Sequence, residues 1–383
     1  MGLREQFLRL ADDGRPHSPA ELALQRVLAP LGLAYGAGAA ANRLLYDTGI
    51  RERHRAPVPV VSVGNLTLGG TGKTPFCVWL TRWMQSTGKR PAILTRGYGR
   101  EDESQLTIVH DGKYLKATTR TAGDEPVLLA RLLGDTPIVA CADRSRAARL
   151  AVKRLAVDSL VLDDGFQHLA MARDCDIVLL DATRPLEELQ LFPRGTLREP
   201  LGALRNAHLV VATRMHQAGD EARRLLRWLK REHPGLPLVR TDVGLVSGRL
   251  FHETAEITAE ELRGRKVVLA CGLANPRSFR QTLEGAGMRV MAARYLADHE
   301  GLTAKELRKL DASRKRLGAD FIAITEKDAV KLDDPNRVPE SVLVAAARID
   351  FLAPEDEARA QRTIAARLAT RPVRGLLAGG KRG

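Results

Sequence analysis

Apolar runs of four to seven residues recur along the chain: VPVVSV (58–63), PAILT (91–95), PIVA (137–140), SLVLD (159–163) and DIVLLD (176–181). HLVVAT (208–213), KVVLACG (266–272), DFIAIT (320–325) and VLVAAA (342–347) continue the series. Most are apolar on both faces and rich in β-branched residues, the pattern of strands inside a parallel sheet. Between them, 75–87, 143–156, 218–232 and 302–316 have helical spacing. This alternation predicts an α/β protein with layered helices and strands. No repeat and no low-complexity segment interrupts it.

A length of 383 residues suggests about two domains. The Pro-containing, turn-rich stretch RPLEELQLFPRGTLREP (184–200) reads as a hinge, which puts a boundary near residue 185. Residues 1–185 are then a core with an N-terminal helical segment, and 186–345 a smaller α/β domain. Residues 346–383 form a C-terminal helix and basic tail returning to the core. From Arg359 to Gly383 there are seven Lys or Arg and no acid.

The N-terminal stretch changes the picture. Val27 to Asn42 is uncharged for 16 residues, yet it holds Pro30, Gly32, Gly36 and Gly38. A spanning helix needs about 20 apolar residues, so this run reads as too short and too broken to cross a bilayer. Leu22, Leu24, Val27, Leu28, Leu31 and Leu33 crowd one stretch, and Arg43, Arg51, Arg53 and Arg55 follow. An apolar face with nearby arginines suits either a monotopic membrane anchor or a helix packed on its own core. The first residues lack the apolar segment of a secretory signal.

Sixty Lys and Arg against 46 Asp and Glu give a net charge of +14, which favours an anionic partner. Aromatics are only 4%, too few for a base-stacking nucleic-acid binder. Cys77, Cys141, Cys175 and Cys271 lie far apart, with no metal-knuckle or disulfide spacing.

The strongest chemical signal is VPVVSVGNLTLGGTGKTP (58–75), an apolar strand running into a glycine-rich loop that opens a helix. That context is a P-loop's. Gly69, Gly70 and Gly72 let the backbone wrap so that its N–H groups face phosphate oxygens. Lys73 supplies charge for the β- and γ-phosphates, and Thr74 a hydroxyl for Mg²⁺. Pro75 suits the first helical turn, where its missing N–H matters little. Thr67 stands where the usual pattern has glycine, so the loop is a variant, Thr67-Leu68-Gly69-Gly70-Thr71-Gly72-Lys73-Thr74.

Such a loop needs a carboxylate at the end of a neighbouring strand. SLVLDDGFQH (159–168) offers Asp163 and Asp164, with Gln167 and His168 beyond; DIVLLDATRP (176–185) offers Asp181. The first cluster is favoured. In TAGDEPVLLA (121–130), Asp124 and Glu125 open a helical run, where they serve as caps or face a phosphate. LTRGYGR (94–100) and ADRSRAA (142–148) add Arg96, Arg100, Arg144 and Arg146 as candidate anion ligands, and LADHEGLT (296–303) adds His299.

GNLTLGGTGKTP, LTRGYGR, GDEP, DDGFQH, FPRGTLREP and TEKDAVK, in this order, resemble the motifs of the tetraacyldisaccharide 4'-kinase family of lipid A biosynthesis. The resemblance runs from about residue 20 to about residue 350 and includes the Thr67 variant loop. It implies a P-loop kinase core with a smaller α/β domain closing over ATP. It implies transfer of the γ-phosphate to the 4'-hydroxyl of a tetraacyldisaccharide 1-phosphate, giving lipid IVA, at the cytoplasmic face of the bacterial inner membrane. Residues 67–74 would hold ATP; Thr74, Asp163 and Glu125 would serve Mg²⁺. Asp124, paired with His299, would assist deprotonation of the sugar hydroxyl, with Lys73 at the transferred phosphate. No nucleic acid and no stable protein partner is expected. The competing reading is a P-loop GTPase-like switch or metal chaperone. TEKDAVK after DFIAIT has a superficial likeness to a guanine-reading motif, but Thr-Glu replaces its Asn. Metal chaperones tend to carry Cys or His clusters, absent from this sequence.

Overall fold

The computed structural model describes residues 19–273, 275–296, 301–332 and 334–370. Helix α1 (Pro19–Asp47) precedes β1 (Val60–Asn65), α2 (Lys73–Ser86), β2 (Pro91–Thr95), β3 (Thr107–His110), α3 (Thr119–Ala122) and α4 (Asp124–Leu133). Then come β4 (Ile138–Ala140), α5 (Arg144–Arg154), β5 (Ser159–Asp163), β6 (Cys175–Asp181), β7 (Leu209–Thr213), α6 (Met215–Ala218), α7 (Asp220–Glu232) and β8 (Leu238–Leu250). The second half holds β9 (Glu256–Thr258), α8 (Ala259–Leu262), β10 (Lys266–Cys271), α9 (Pro276–Gly285) and β11 (Arg289–Tyr295). It ends with α10 (Ala304–Leu317), β12 (Phe321–Thr325), α11 (Glu326–Ala329), β13 (Val342–Phe351) and α12 (Pro354–Ala369).

The strands form one sheet in the order β11-β10-β12-β13-β8-β7-β6-β1-β5-β2-β4-β3, with β9 beside β8. Around β1 the pairing is parallel: Val63 lies opposite Asp163 of β5 and Ile177 of β6. The loop after β1 and the acids ending β5 therefore emerge together at one sheet edge, where α/β folds put ligands. β1, β2, β5, β6 and β7 are buried along their length, as their doubly apolar sequences require.

The ladder does not break near residue 185. β7 pairs parallel with β6, and Leu238–Arg240 of β8 pairs parallel with β7. From Thr241 onward β8 runs antiparallel to β13. We therefore place the junction of the two lobes inside β8, at residues 240–241. The stretch 184–200 is no open linker either: Thr196, Leu197 and Glu199 are buried. Past β13 the chain returns to the first lobe, and Ala360 and Ile364 of α12 join Phe76, Leu80 and Met84 of α2 in its core. The second lobe buries Leu269, Phe279 and Leu283 on one face of its strands and Leu307, Ile322 and Ile324 on the other.

Helix α1 is continuous through Pro30, Gly32, Gly36 and Gly38, contrary to a reading of these residues as breaks. Two of the glycines have a packing reason. A Cβ on Gly36 would sit 2.5 Å from Leu191 Cδ1, and one on Gly32 would meet Leu191 O at 3.2 Å. They let the helix backbone approach the 189–201 segment, where Tyr35 meets Phe192 edge-on with centroids 5.6 Å apart. Val27, Leu31 and Leu33 remain exposed. No helix of the described residues is long and apolar enough to cross a membrane.

Candidate active site

The glycine-rich loop leaves β1 at Asn65 and enters α2 at Lys73, with Gly69 and Gly72 at positive φ of 97° and 87°. Its carbonyls are tied from outside: Thr213 Oγ1 donates to Thr71 O at 3.0 Å, and Arg214 to Gly70 O at 2.8 Å. Arg214 is itself paired with Asp181. Asp181 thus braces the loop's back. Among the described residues, no acceptor takes the backbone N–H groups of residues 69–73. Carbonyls held outward and amides left without partners make an anion cradle.

Before the cradle, residues 66–68 pair with 196–198: Arg198 N donates to Leu66 O and Leu68 N to Thr196 O, each at 2.7 Å. Thr67 is buried in this pairing, so its side chain lies in the frame of the loop. Asn65 organises the turn. Its Nδ2 donates to Thr67 O at 2.8 Å, and its Oδ1 accepts from Lys73 Nζ at 3.0 Å.

Lys73 Nζ also lies 3.4 Å from Asp164 Oδ1, while Arg198 donates to Asp164 Oδ2 at 2.7 Å. Burial pushes the Asp164 carboxyl up, but Lys73 and Arg198 outweigh it and hold it at about 2. Asp163 goes the other way. It is buried, and burial, followed by repulsion from Glu125 and Asp164, raises it to about 7. Its visible donors are weak: Thr95 Oγ1 at 3.3 Å and Cys77 Sγ at 3.7 Å. Asp163, Asp164 and Glu125 are thus brought together beside Lys73, and Thr74 follows Lys73 in the first turn of α2. Among the described residues no group of three or more His, Cys, Asp or Glu is disposed as a complete metal cage. Mg²⁺ at phosphate sites is usually held by one or two carboxylates with phosphate and water, so carboxylates crowded beside a phosphate cradle fit it.

Asp124 opens α4, and its Oδ1 accepts from Glu125 N at 3.0 Å. Its Oδ2 faces the second lobe, 3.4 Å from Lys331 Nζ and 3.9 Å from Lys327 Nζ; Lys327 also lies 3.6 Å from Glu125. The lysines of TEKDAVK therefore meet the acids of GDEP across the lobes. The aspartate of the same motif has a structural task. Asp328 is fully buried, accepting from Thr325 Oγ1 at 2.6 Å and Gly272 N at 3.0 Å, which leaves it no role in reading a guanine. His299 lies outside the described residues.

The arginines divide. Arg100 donates to Thr107 Oγ1, Glu103 O and Gln105 O and is a loop brace. Arg146 lies on the exposed side, reaching Ser104 O at 3.4 Å. Arg144 is buried, keeps its Nε without a hydrogen-bond partner, and feels the charges of Asp163 and Asp164. His168 stands near Arg144; burial, then that arginine, lowers it to about 4, and its buried Nε2 is also unpartnered.

Sequence reasoning missed Asn65, Arg198, Glu199 and Arg214. FPRGTLREP was legible as a motif, but nothing in its composition says that it docks on the loop.

A family model described as tetraacyldisaccharide-1-P 4'-kinase matches residues 24–369. The chain is 42% identical over 343 residues to a tetraacyldisaccharide 4'-kinase of Anaeromyxobacter sp. (strain Fw109-5), covering 88% of this chain and 90% of that one. It is 36% identical to the enzyme of that name from Syntrophus aciditrophicus, covering 87% and 90%. The fold superposes on a crystal structure of LpxK from Aquifex aeolicus in complex with ATP, with a TM-score of 0.68, 28% identity, and 90% and 99% of the two chains covered. By its sequence from end to end of the matched region and by the site that this sequence builds, the chain belongs to the tetraacyldisaccharide 4'-kinase family.

Proposed function

We propose that the protein transfers the γ-phosphate of ATP to the 4'-hydroxyl of a tetraacyldisaccharide 1-phosphate, the product being lipid IVA. The observation that carries this reading is the meeting of a phosphate cradle, Lys73 and the Asp163–Asp164 pair at one sheet edge, beside Asp124 and Glu125 and the second-lobe lysines Lys327 and Lys331 that face them. Residues 69–74 wrap the phosphates, and Thr67 and Leu68, paired with 196–198, hold the frame on which they do so. Lys73 exchanges Asp164 for a phosphate oxygen, and Arg198 keeps Asp164 neutralised as it does so. Thr74, Asp163 and Glu125 would hold Mg²⁺, which when bound would supply positive charge to neutralise the transferred phosphate. Asp124, with His299 as its partner, accepts the hydroxyl proton, and the lysines opposite bring the second lobe onto it. Arg144, buried near Asp163 and Asp164 with its Nε unpartnered, and the buried, unpartnered Nε2 of the half-buried His168 suit an anionic sugar headgroup.

The exposed Val27, Leu31 and Leu33 of α1 and the basic balance of the chain support peripheral or monotopic association with the cytoplasmic face of the inner membrane. The second lobe closes over the nucleotide.

The discriminating experiment pairs the acylated disaccharide 1-phosphate with an analogue methylated at the 4'-oxygen. ADP release that depends on the free 4'-hydroxyl supports the reading. Equal ADP release with both acceptors refutes it.

A further inference from the structure

We infer that Arg43 is a positioning residue for the phosphate loop, acting through Glu199 and Gln167, so that helix α1 is a working part of the nucleotide site.

Arg43 lies near the C-terminal end of α1 and is 5% exposed. Its Nε and Nη2 both donate to Glu199 Oε2, at 2.9 and 2.7 Å, and its guanidinium lies over the Phe166 ring, 4.9 Å from the centroid. Glu199 is equally buried, and its other oxygen accepts from Gln167 Nε2 at 3.1 Å. The same Nε2 reaches Asn65 O at 3.1 Å. Asn65 in turn holds Lys73 Nζ and Thr67 O. Next to Glu199, Arg198 holds Asp164. A single line of hydrogen bonds therefore runs from α1 to the lysine that meets the phosphates.

Helix anchoring alone does not call for this. A buried ion pair is a poor way to fasten a helix, because desolvation offsets much of its attraction and a well-packed apolar pair often does as well. Gly32 and Gly36 already seat α1 on Leu191 by backbone approach. What the charged pair adds is direction: Glu199 is oriented so that Gln167 is held, and Gln167 fixes the carbonyl of the residue that organises the turn. Both Glu199 oxygens and Gln167 Nε2 have their partners, and buried networks so paired specify one geometry.

The inference rests on the reading that the loop of Lys73 holds ATP. The test uses the full-length protein in detergent micelles without lipid, measuring Kd for a non-hydrolysable ATP analogue with Mg²⁺ by calorimetry, alongside Tm. Arg43→Met is expected to raise Kd on the order of tenfold, within the range of coupling in one hydrogen-bonded network. Gln167→Leu, which cuts the line but leaves the Arg43–Glu199 pair, should give a similar loss. Adding Arg43→Met to Gln167→Leu should cost no more than about twofold further. Arg43→Lys should recover part of the affinity. A folded Arg43→Met protein with wild-type Kd, or losses that multiply in the double variant, would overturn the inference. Should Arg43→Met fail to fold, Gln167→Leu with wild-type Kd overturns it on its own. Lys73→Ala in the same assay separates the levels. If it leaves Kd unchanged, the loop assignment fails. If it weakens binding while the Arg43 and Gln167 variants do not, only the inference fails.

Discussion

Asp163→Asn should make the protein more stable and nearly inactive. The side chain is buried among Glu125 and Asp164, and its carboxyl is raised to about 7, with burial the largest cause. An unfolded aspartate titrates near 3.9, about three pH units lower, which corresponds to about 4 kcal/mol at pH 8. The sign is set by proton count. Between pH 4 and 7 the folded chain holds a proton that the unfolded chain has released, so stability falls as pH rises through that window. Asn removes the charge while keeping an oxygen for Thr95 Oγ1 or Cys77 Sγ. Because Glu125 and Asp164 share the repulsion, the gain at pH 8 should be about 1–3 kcal/mol, a few degrees in Tm, and less than half that at pH 5. The assay is thermal unfolding of both proteins at pH 5 and 8, with and without Mg²⁺ and ATP. Ligands should stabilise the wild type more than the variant, since binding to the folded state raises its apparent stability. An equal drop in Tm at both pH values, or wild-type kcat in the variant, would refute the reasoning.

Lys73→Ala should lower kcat/KM by on the order of 10²–10³-fold with little change in Tm, because Arg198 still neutralises Asp164; steady-state kinetics on a folded variant checks this. Asp124→Ala should lower kcat by about 10²–10⁴-fold and also Tm, because it strands the buried Lys331 ammonium. Adding Lys331→Met should restore Tm but not kcat, and the Asp124→Ala/His299→Ala double should be little worse than the worse single. Leu31→Glu with Leu33→Glu should weaken vesicle binding about tenfold or more, and equal binding would return α1 to a purely structural role.

Much of the fold was legible because its strands are doubly apolar. The runs at 91–95 and 159–163 coincide with strands to the residue, and those at 208–213 and 320–325 start one residue before theirs. Strands at edges and junctions were not. β11, RVMAARY, carries arginines and is mostly exposed, as a charged edge should be, and so has no apolar signature. β8 serves two ladders of opposite sense, and its burial alternates irregularly. The cradle was legible from its glycines and Lys73. Its supports were not, since Asn65, Glu199 and Arg214 act through contacts 8 to 156 residues away in sequence. The glycines of α1 illustrate the same limit. Read locally they interrupt a helix; in the fold they admit Leu191.

The central claim is best tested by incubating detergent-solubilised protein with γ-labelled ATP, Mg²⁺ and a tetraacyldisaccharide 1-phosphate, then locating the label by mass spectrometry. The assignment requires stoichiometric transfer to the 4'-oxygen, abolished by Lys73→Ala. Hydrolysis of ATP without labelled lipid, or a preference for GTP over ATP, would contradict it.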